Sequence, residues 1–182
     1  MIHLYTGDGK GKTTAATGLA VRAAGRGMKV YFAQFMKGGD SGELHVLGEL
    51  PQVRILRSRQ EFGFYNTLSD KDKRELTEIH NGILEDLIAA AERGSCDMIV
   101  LDEVTYPVNW WLLDRTKLER LLALGKAGEK SEADCKIRIP ELVLTGRNPE
   151  AFLLECADYV TEMKCVRHPY DKGVAAREGI EY

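Results

Sequence analysis

The chain has 182 residues, 44% of them apolar and 29% charged, with a formal net charge of −3. This is the balance of a soluble protein long enough for one full hydrophobic core, so a single domain over residues 1–182 is expected. The net charge excludes a global basic field and no Lys/Arg run supplies a local one, so nucleic acid is not an expected partner. No apolar stretch reaches the roughly 18 residues that span a bilayer, so no membrane is expected either.

In chain order, residues 2–6 read as a short buried strand, with no signal-peptide pattern ahead of it. A glycine-rich loop follows, then a small-residue helix over about 12–26, with Ala15, Ala16, Leu19, Ala20, Ala23 and Ala24 on or near one face. Gly25 and Gly27 bracket its end. Val30–Phe35 is a second strand, followed by a glycine-rich turn over Lys37–Gly42, and Val53–Leu56 is a short third strand. The longest helix is expected at about 69–93, with Ser69 as N-cap and Gly94 just past its end. Met98–Leu101 is a continuous apolar run that ends in Asp102-Glu103. Thr116-Lys117-Leu118-Glu119 has the form of a capping box opening another helix. Residues 125–139 read as an exposed, charged excursion. Leu142–Thr145 is a buried strand, Asn148-Pro149 reads as an N-cap with proline at the first helical position, and Tyr159–Val166 is the last strand. The inner strands are apolar throughout rather than alternating, which argues for a mostly parallel α/β sheet covered by helices on both faces.

The four cysteines, Cys96, Cys135, Cys156 and Cys165, form no C-x-x-C pair, which argues against a zinc site. Cys96 and Cys156 lie in apolar contexts and are expected to be inert core thiols. Free thiols without a disulfide framework suit a cytoplasmic protein.

The residues with the clearest chemistry are Thr6-Gly7-Asp8-Gly9-Lys10-Gly11-Lys12-Thr13-Thr14. Between an apolar strand and a helix, such a loop converges backbone N–H groups on a phosphate, and the helix adds its positive end. Lys12 supplies charge to a triphosphate, and the Thr13 hydroxyl is placed to bind Mg2+ (or Mn2+). The common pattern has glycine where this chain has Thr6, and the extra Gly9 and Lys10 make the loop denser than usual. The competing reading is a glycine-rich turn that binds nothing. Asp102-Glu103 strengthens the functional reading, because ligands bind at the carboxyl ends of strands in open parallel sheets. Asp102 and Glu103 are candidate metal ligands, or one of them orients water or substrate; the bland alternative is a helix cap.

Further polar groups are less specific. Arg147, in Thr145-Gly146-Arg147, is a candidate clamp on the triphosphate or a surface charge. Phe62-Gly63-Phe64-Tyr65 is either an exposed platform for a flat ligand or a core plug. Trp110 and Trp111 are expected to pack, and His168, in Arg167–Gly173, is more readily a structural residue than a base or ligand. Loop and acidic pair alone also fit a small-molecule or nucleoside kinase, or a non-catalytic ATP-dependent switch.

Taken together, the stretches Thr6–Ala16, Gln34–Gly38, Leu101–Tyr106, Thr145–Arg147, His168–Gly173 and Gly179–Tyr182 resemble the corrinoid adenosyltransferases. The resemblance covers nearly the whole chain and implies a P-loop NTPase fold of RecA-like type. It implies transfer of the 5′-deoxyadenosyl group of ATP to Co(I) of a corrinoid, with release of triphosphate, in adenosylcobalamin biosynthesis. It also implies a homodimer, an electron-donating flavoprotein partner, and a nucleotide reversed along the loop. Residue by residue, it carries ATP contacts onto residues 6–14 and onto Arg22, Glu103 and Arg147. It carries a catalytic role onto Lys12, Phe64 and Arg147, with Phe64 displacing the lower axial ligand of Co(II) corrinoid. Two departures stand out: Asn66 replaces the family's tryptophan, and the chain begins almost at the loop.

Overall fold

The computed structural model describes residues 1–126 and 139–180. The expected excursion at 125–139, Cys135, and the terminal Glu181-Tyr182 therefore fall wholly or almost wholly outside the described residues.

Six strands form one all-parallel sheet: β1 (Ile2–Thr6), β2 (Val30–Gln34), β3 (Val53–Arg57), β4 (Met98–Asp102), β5 (Glu141–Thr145) and β6 (Tyr159–Glu162). Their order across the sheet is β3-β2-β4-β5-β1-β6. Successive residues of a strand point to opposite faces, so each inner strand feeds two cores. Val30, Phe32, Met98, Val100 and Val143 meet the helix α1 (Lys12–Ala24) and the short α2 (Gly42–Gly48). Ala33, Ile99, Leu101, Leu142 and Leu144 meet α3 (Asp70–Glu92), α5 (Arg115–Lys126) and α6 (Ala151–Cys156) on the other face. The buried alanines of α1, Ala16, Ala20, Ala23 and Ala24, leave the helix backbone close against β1, β2, β4 and β5. The loop that precedes α1 is thereby held at the carboxyl end of β1, between β5 and β6.

The predicted capping of α3 is present. The Ser69 hydroxyl accepts from Asp72 N at 3.2 Å, and the Asp72 carboxylate accepts from Ser69 N at 3.0 Å. Other boundaries differ for local reasons. Asp114, not Thr116, caps α5: its carboxylate accepts from Thr116 N at 2.8 Å and Lys117 N at 3.3 Å. Asn148 takes a left-handed φ of 48°, which displaces the start of α6 to Glu150 as N-cap. The last strand stops at Glu162, four residues before Val166. Two short helices were not foreseen, α2 and α4 (Thr105–Asn109). Each is under two turns or just at it, too short for a 3.6-residue period to register. No helix among the described residues is long and apolar enough to cross a membrane.

Candidate active site

The C-terminal ends of β1, β2, β4 and β5 lead into the loop, Met36–Glu43, Glu103–Tyr106 and Arg147, which surround a cavity of about 1070 Å³. The loop is fixed from behind. Gly9 N donates to Met163 O at 2.7 Å, and Cys165 N donates to the Asp8 carboxylate at 3.0 Å, holding the Asp8 carboxyl below its ordinary range. Gly7 has φ 99°, and a Cβ there would collide with Met163 O, so both torsion and space demand glycine. Lys12 folds back along the loop. Its ammonium donates to Gly7 O at 2.8 Å and Gly9 O at 2.7 Å and is only 6% exposed. Burial, then the nearby Arg147, push its pKa down. Such a charge gains by exchanging neutral carbonyls for phosphate oxygens.

Asp102 ends β4 with 0% exposure and is fully partnered. One carboxylate oxygen accepts from the Thr13 and Thr145 hydroxyls, each at 2.8 Å, and the other accepts from Lys37 at 3.1 Å. Burial works against the Lys37 ammonium, but Asp102 and Glu103 outweigh it and raise its pKa. Glu103 follows with a left-handed φ of 62°, uncommon for a residue with a long side chain. Thr145 supports that turn by accepting from Glu103 N at 2.8 Å. The turn aims Glu103 into the cavity, where burial and then Asp102 raise its carboxyl pKa. Its Oε2 is buried without a hydrogen-bond partner among the described residues, as is the Thr17 hydroxyl on the same cavity wall. Unpartnered buried oxygens facing a cavity are costly unless a ligand or water completes them.

Arg147 reaches the cavity from the turn after β5. Its carbonyl accepts from the Thr105 hydroxyl at 2.8 Å, across Gly146. A Cβ on Gly146, whose φ is 146°, would run into that hydroxyl.

The structure brings together most residues singled out from sequence. Gly9 to Thr14, Phe64, Glu103 and Arg147 line one cavity, with Asp102 directly behind Thr13. Thr6, Gly7 and Asp8 do not line it; they anchor the loop to the strand end and to Met163–Cys165. Arg22 is not brought in: it is exposed in the last turn of α1, ~15 Å along the helix from Lys12 at 1.5 Å per residue. The aromatic loop divides its labour. Tyr65 stacks on Trp110 at 4.4 Å, and Phe62 and Tyr65 pack on the Leu68, Leu76 and Leu112 cluster, while Phe64 is 86% exposed at the cavity rim. Trp110 packs as expected; Trp111 stays largely exposed. Cys96 is buried and its thiol pushed up to about 11, as befits an inert core group.

Sequence reasoning did not single out Lys37, Thr17, Tyr106 or Thr145 as site residues. Lys37 was visible as the one cation after β2, but its pairing with Asp102 joins positions 65 apart. Nothing local pointed to Met163–Cys165 as the backing of the loop.

Among the described residues no group of three or more His, Cys, Asp or Glu side chains is set to hold a metal. Magnesium in phosphate sites is held by one or two carboxylates, with phosphate and water supplying most of the remaining oxygens. The Thr13 hydroxyl, Asp102 and the unpartnered Glu103 oxygen fit that kind of site.

The family described as ATP:corrinoid adenosyltransferase BtuR/CobO/CobP matches residues 1–182. The chain is 35% identical to the corrinoid adenosyltransferase of Escherichia coli (strain K12) over 186 residues, covering 100% of this chain and 85% of that protein. It is 33% identical to the corrinoid adenosyltransferase CobA of Salmonella typhimurium, with 100% and 85% covered. For the corrinoid adenosyltransferase of Pseudomonas aeruginosa the identity is 31%, with 100% and 83% covered.

Proposed function

Because this chain belongs to the ATP:corrinoid adenosyltransferase family, we propose that its cavity holds ATP by the triphosphate and presents C5′ to the cobalt of a corrinoid. Its activity is ATP-dependent adenosyl transfer to a corrinoid in cobalamin biosynthesis. In that reaction the electron pair of Co(I) attacks C5′, the Co–C bond forms as the C5′–O bond breaks, and triphosphate leaves with the bonding pair. Cobalt is the nucleophile, so the protein needs no catalytic base. Its work is alignment and stabilisation of charge on the leaving group.

The observation that carries this reading is the buried Lys12 ammonium, parked on Gly7 and Gly9 carbonyls at the mouth of a cavity that also holds Arg147. Lys12 and Arg147 neutralise the departing triphosphate, with Lys10 beside them. Thr13, Asp102 and Glu103 would hold Mg2+ or Mn2+, which supplies further charge to the phosphates. Asp102 also fixes the Thr13 hydroxyl, and Thr145 and Lys37 hold the Asp102 carboxylate in place. Phe64, exposed at the rim, is the residue placed to press on a flat ligand and take the space of an axial ligand.

A single catalytic domain, a homodimer in the cytoplasm and an electron-donating flavoprotein that supplies Co(I) complete the reading. The test is product identification with ATP and a chemically reduced corrinoid. Equal amounts of adenosylated corrinoid and inorganic triphosphate are expected, both dependent on the reductant. ADP or orthophosphate without adenosylated corrinoid overturns it.

A further inference from the structure

The Phe64 ring is 86% exposed at the cavity rim, so its direction is set by the backbone that carries it. That backbone is pinned on both sides. Phe62 and Tyr65 pack on the cluster of Leu68, Leu76 and Leu112. Gly63, with a left-handed φ of 76°, turns the chain between Phe62 and Phe64. The Phe64 carbonyl accepts from Thr67 N at 2.9 Å and from the Thr67 hydroxyl at 2.7 Å.

Tyr65 ties this loop to the other wall of the cavity. It lies flat on Trp110, with ring centroids 4.4 Å apart and planes 13° from parallel. Trp110 follows α4 directly and donates its backbone N–H to Tyr106 O at 2.9 Å. Its ring also meets that of Tyr106, 5.1 Å away and tilted by 38°. Tyr106 lines the cavity, as does Glu103 three residues before it. The helix is fastened in turn to the segment that bears Arg147. The Thr105 hydroxyl donates to Arg147 O at 2.8 Å, and the Asn109 amide donates to Asn148 O at 2.9 Å. The Trp110 indole thus joins the element that places Glu103 and Arg147 to the loop that places Phe64.

We propose that Trp110 is a positioning residue for the activation of Co(II) corrinoid. Its stack with Tyr65 holds the Phe64 loop at a fixed distance and tilt from the ATP-binding wall, so that Phe64 presses on the corrinoid while C5′ faces cobalt. A flat face is what this position requires. Stacked rings constrain both separation and inclination, whereas an aliphatic side chain fills space without fixing either. The inference rests on the role given to Phe64 above.

The test compares wild type with Trp110→Leu, which keeps apolar bulk without a flat face, and with Trp110→Phe, which keeps a smaller flat face. Phe64→Ala is the reference, and melting temperature is the folding control. Adenosylation is measured from Co(II) corrinoid with reduced flavin, and from Co(I) supplied chemically. Electron paramagnetic resonance of bound Co(II) corrinoid with ATP reads whether the lower nitrogen ligand is still on the metal. Loss of the stack in Trp110→Leu should slow the Co(II) reaction about threefold or more and raise the fraction that keeps its lower ligand. The Co(I) reaction should stay within about twofold of wild type, and Trp110→Phe within about twofold in both assays. If Trp110→Leu melts far below wild type, Tyr65→Leu breaks the same stack from the loop side and is held to the same outcomes. Equal losses from Co(II) and Co(I), no loss from either, or no rescue by Trp110→Phe overturns the role of Trp110 while leaving that of Phe64. If Phe64→Ala itself shows no selective loss from Co(II), the reading of Phe64 falls and the inference falls with it.

Discussion

Replacement of Lys12 by alanine separates what the lysine does for the fold from what it does for the reaction. In the free protein its ammonium makes two charge-assisted bonds, to Gly7 O and Gly9 O. Bonds of this kind are worth about 1.5–3 kcal/mol each, but the charge is buried, and that cost is visible in its lowered pKa. The two effects largely offset each other, so Lys12→Ala should cost about 1–2 kcal/mol of stability, a modest fall in melting temperature. The catalytic loss is separate. Removing one charge from the leaving triphosphate should raise the barrier by about 1.4 kcal/mol or more, at least about tenfold in rate. The assay is initial adenosylation with Co(I) supplied chemically and ATP saturating, well below the melting temperature of either protein. A variant of lowered stability that still turns over within about twofold of wild type refutes the role given to Lys12.

Phe64→Ala should leave stability within about 0.5 kcal/mol, since the ring is largely exposed. Its effect should fall on the reaction begun from Co(II) and be much smaller when Co(I) is supplied; equal losses in both assays would argue against ligand displacement. Gly146→Ala must strain a φ of 146° and push away the Thr105 hydroxyl that holds Arg147 O. About 2–4 kcal/mol of destabilisation is expected, read by chemical denaturation, and an unchanged midpoint would contradict the packing at that turn. His80 is buried with its ring donating to Leu112 O at 2.9 Å, and burial pushes its pKa down from 6.5 to about 4. The unfolded chain then binds a proton that the folded chain refuses, so His80's contribution to stability is lost as pH falls from about 6.5 toward 4. The loss amounts to about 3 kcal/mol at most, and His80→Phe should flatten that part of the stability profile. The same acid slope in both proteins would show that His80 is not its source.

Much of the frame was legible in sequence because its signals are local. Largely apolar runs at 30–35, 98–101 and 142–145 pointed to buried parallel strands, and Ser69 with the periodic residues behind it to the long helix α3. The loop, the acidic pair and Arg147 were recognisable by residue type and position at strand ends. Features that depend on distant partners were not. Lys37 meets Asp102 only because β2 and β4 are neighbours, and Cys165 meets Asp8 only because β6 lies beside β1. Arg22 shows the converse: its place in the motif set suggested an ATP contact, while the helix carries it to the exposed far end of α1. The capping box at Thr116 did not form because the helix already begins at Arg115, with Asp114 accepting from Thr116 N and Lys117 N.

The central claim is that C5′, not a phosphorus atom, is attacked. It is tested most directly with ATP carrying a heavy-oxygen label in the bridge between C5′ and the α-phosphorus. Adenosyl transfer breaks the carbon–oxygen bond, so mass spectrometry should find the whole label in inorganic triphosphate and none with the adenosyl group. Label retained on the adenosine side, in ADP or AMP, would mean that a phosphorus–oxygen bond was broken and would contradict the account.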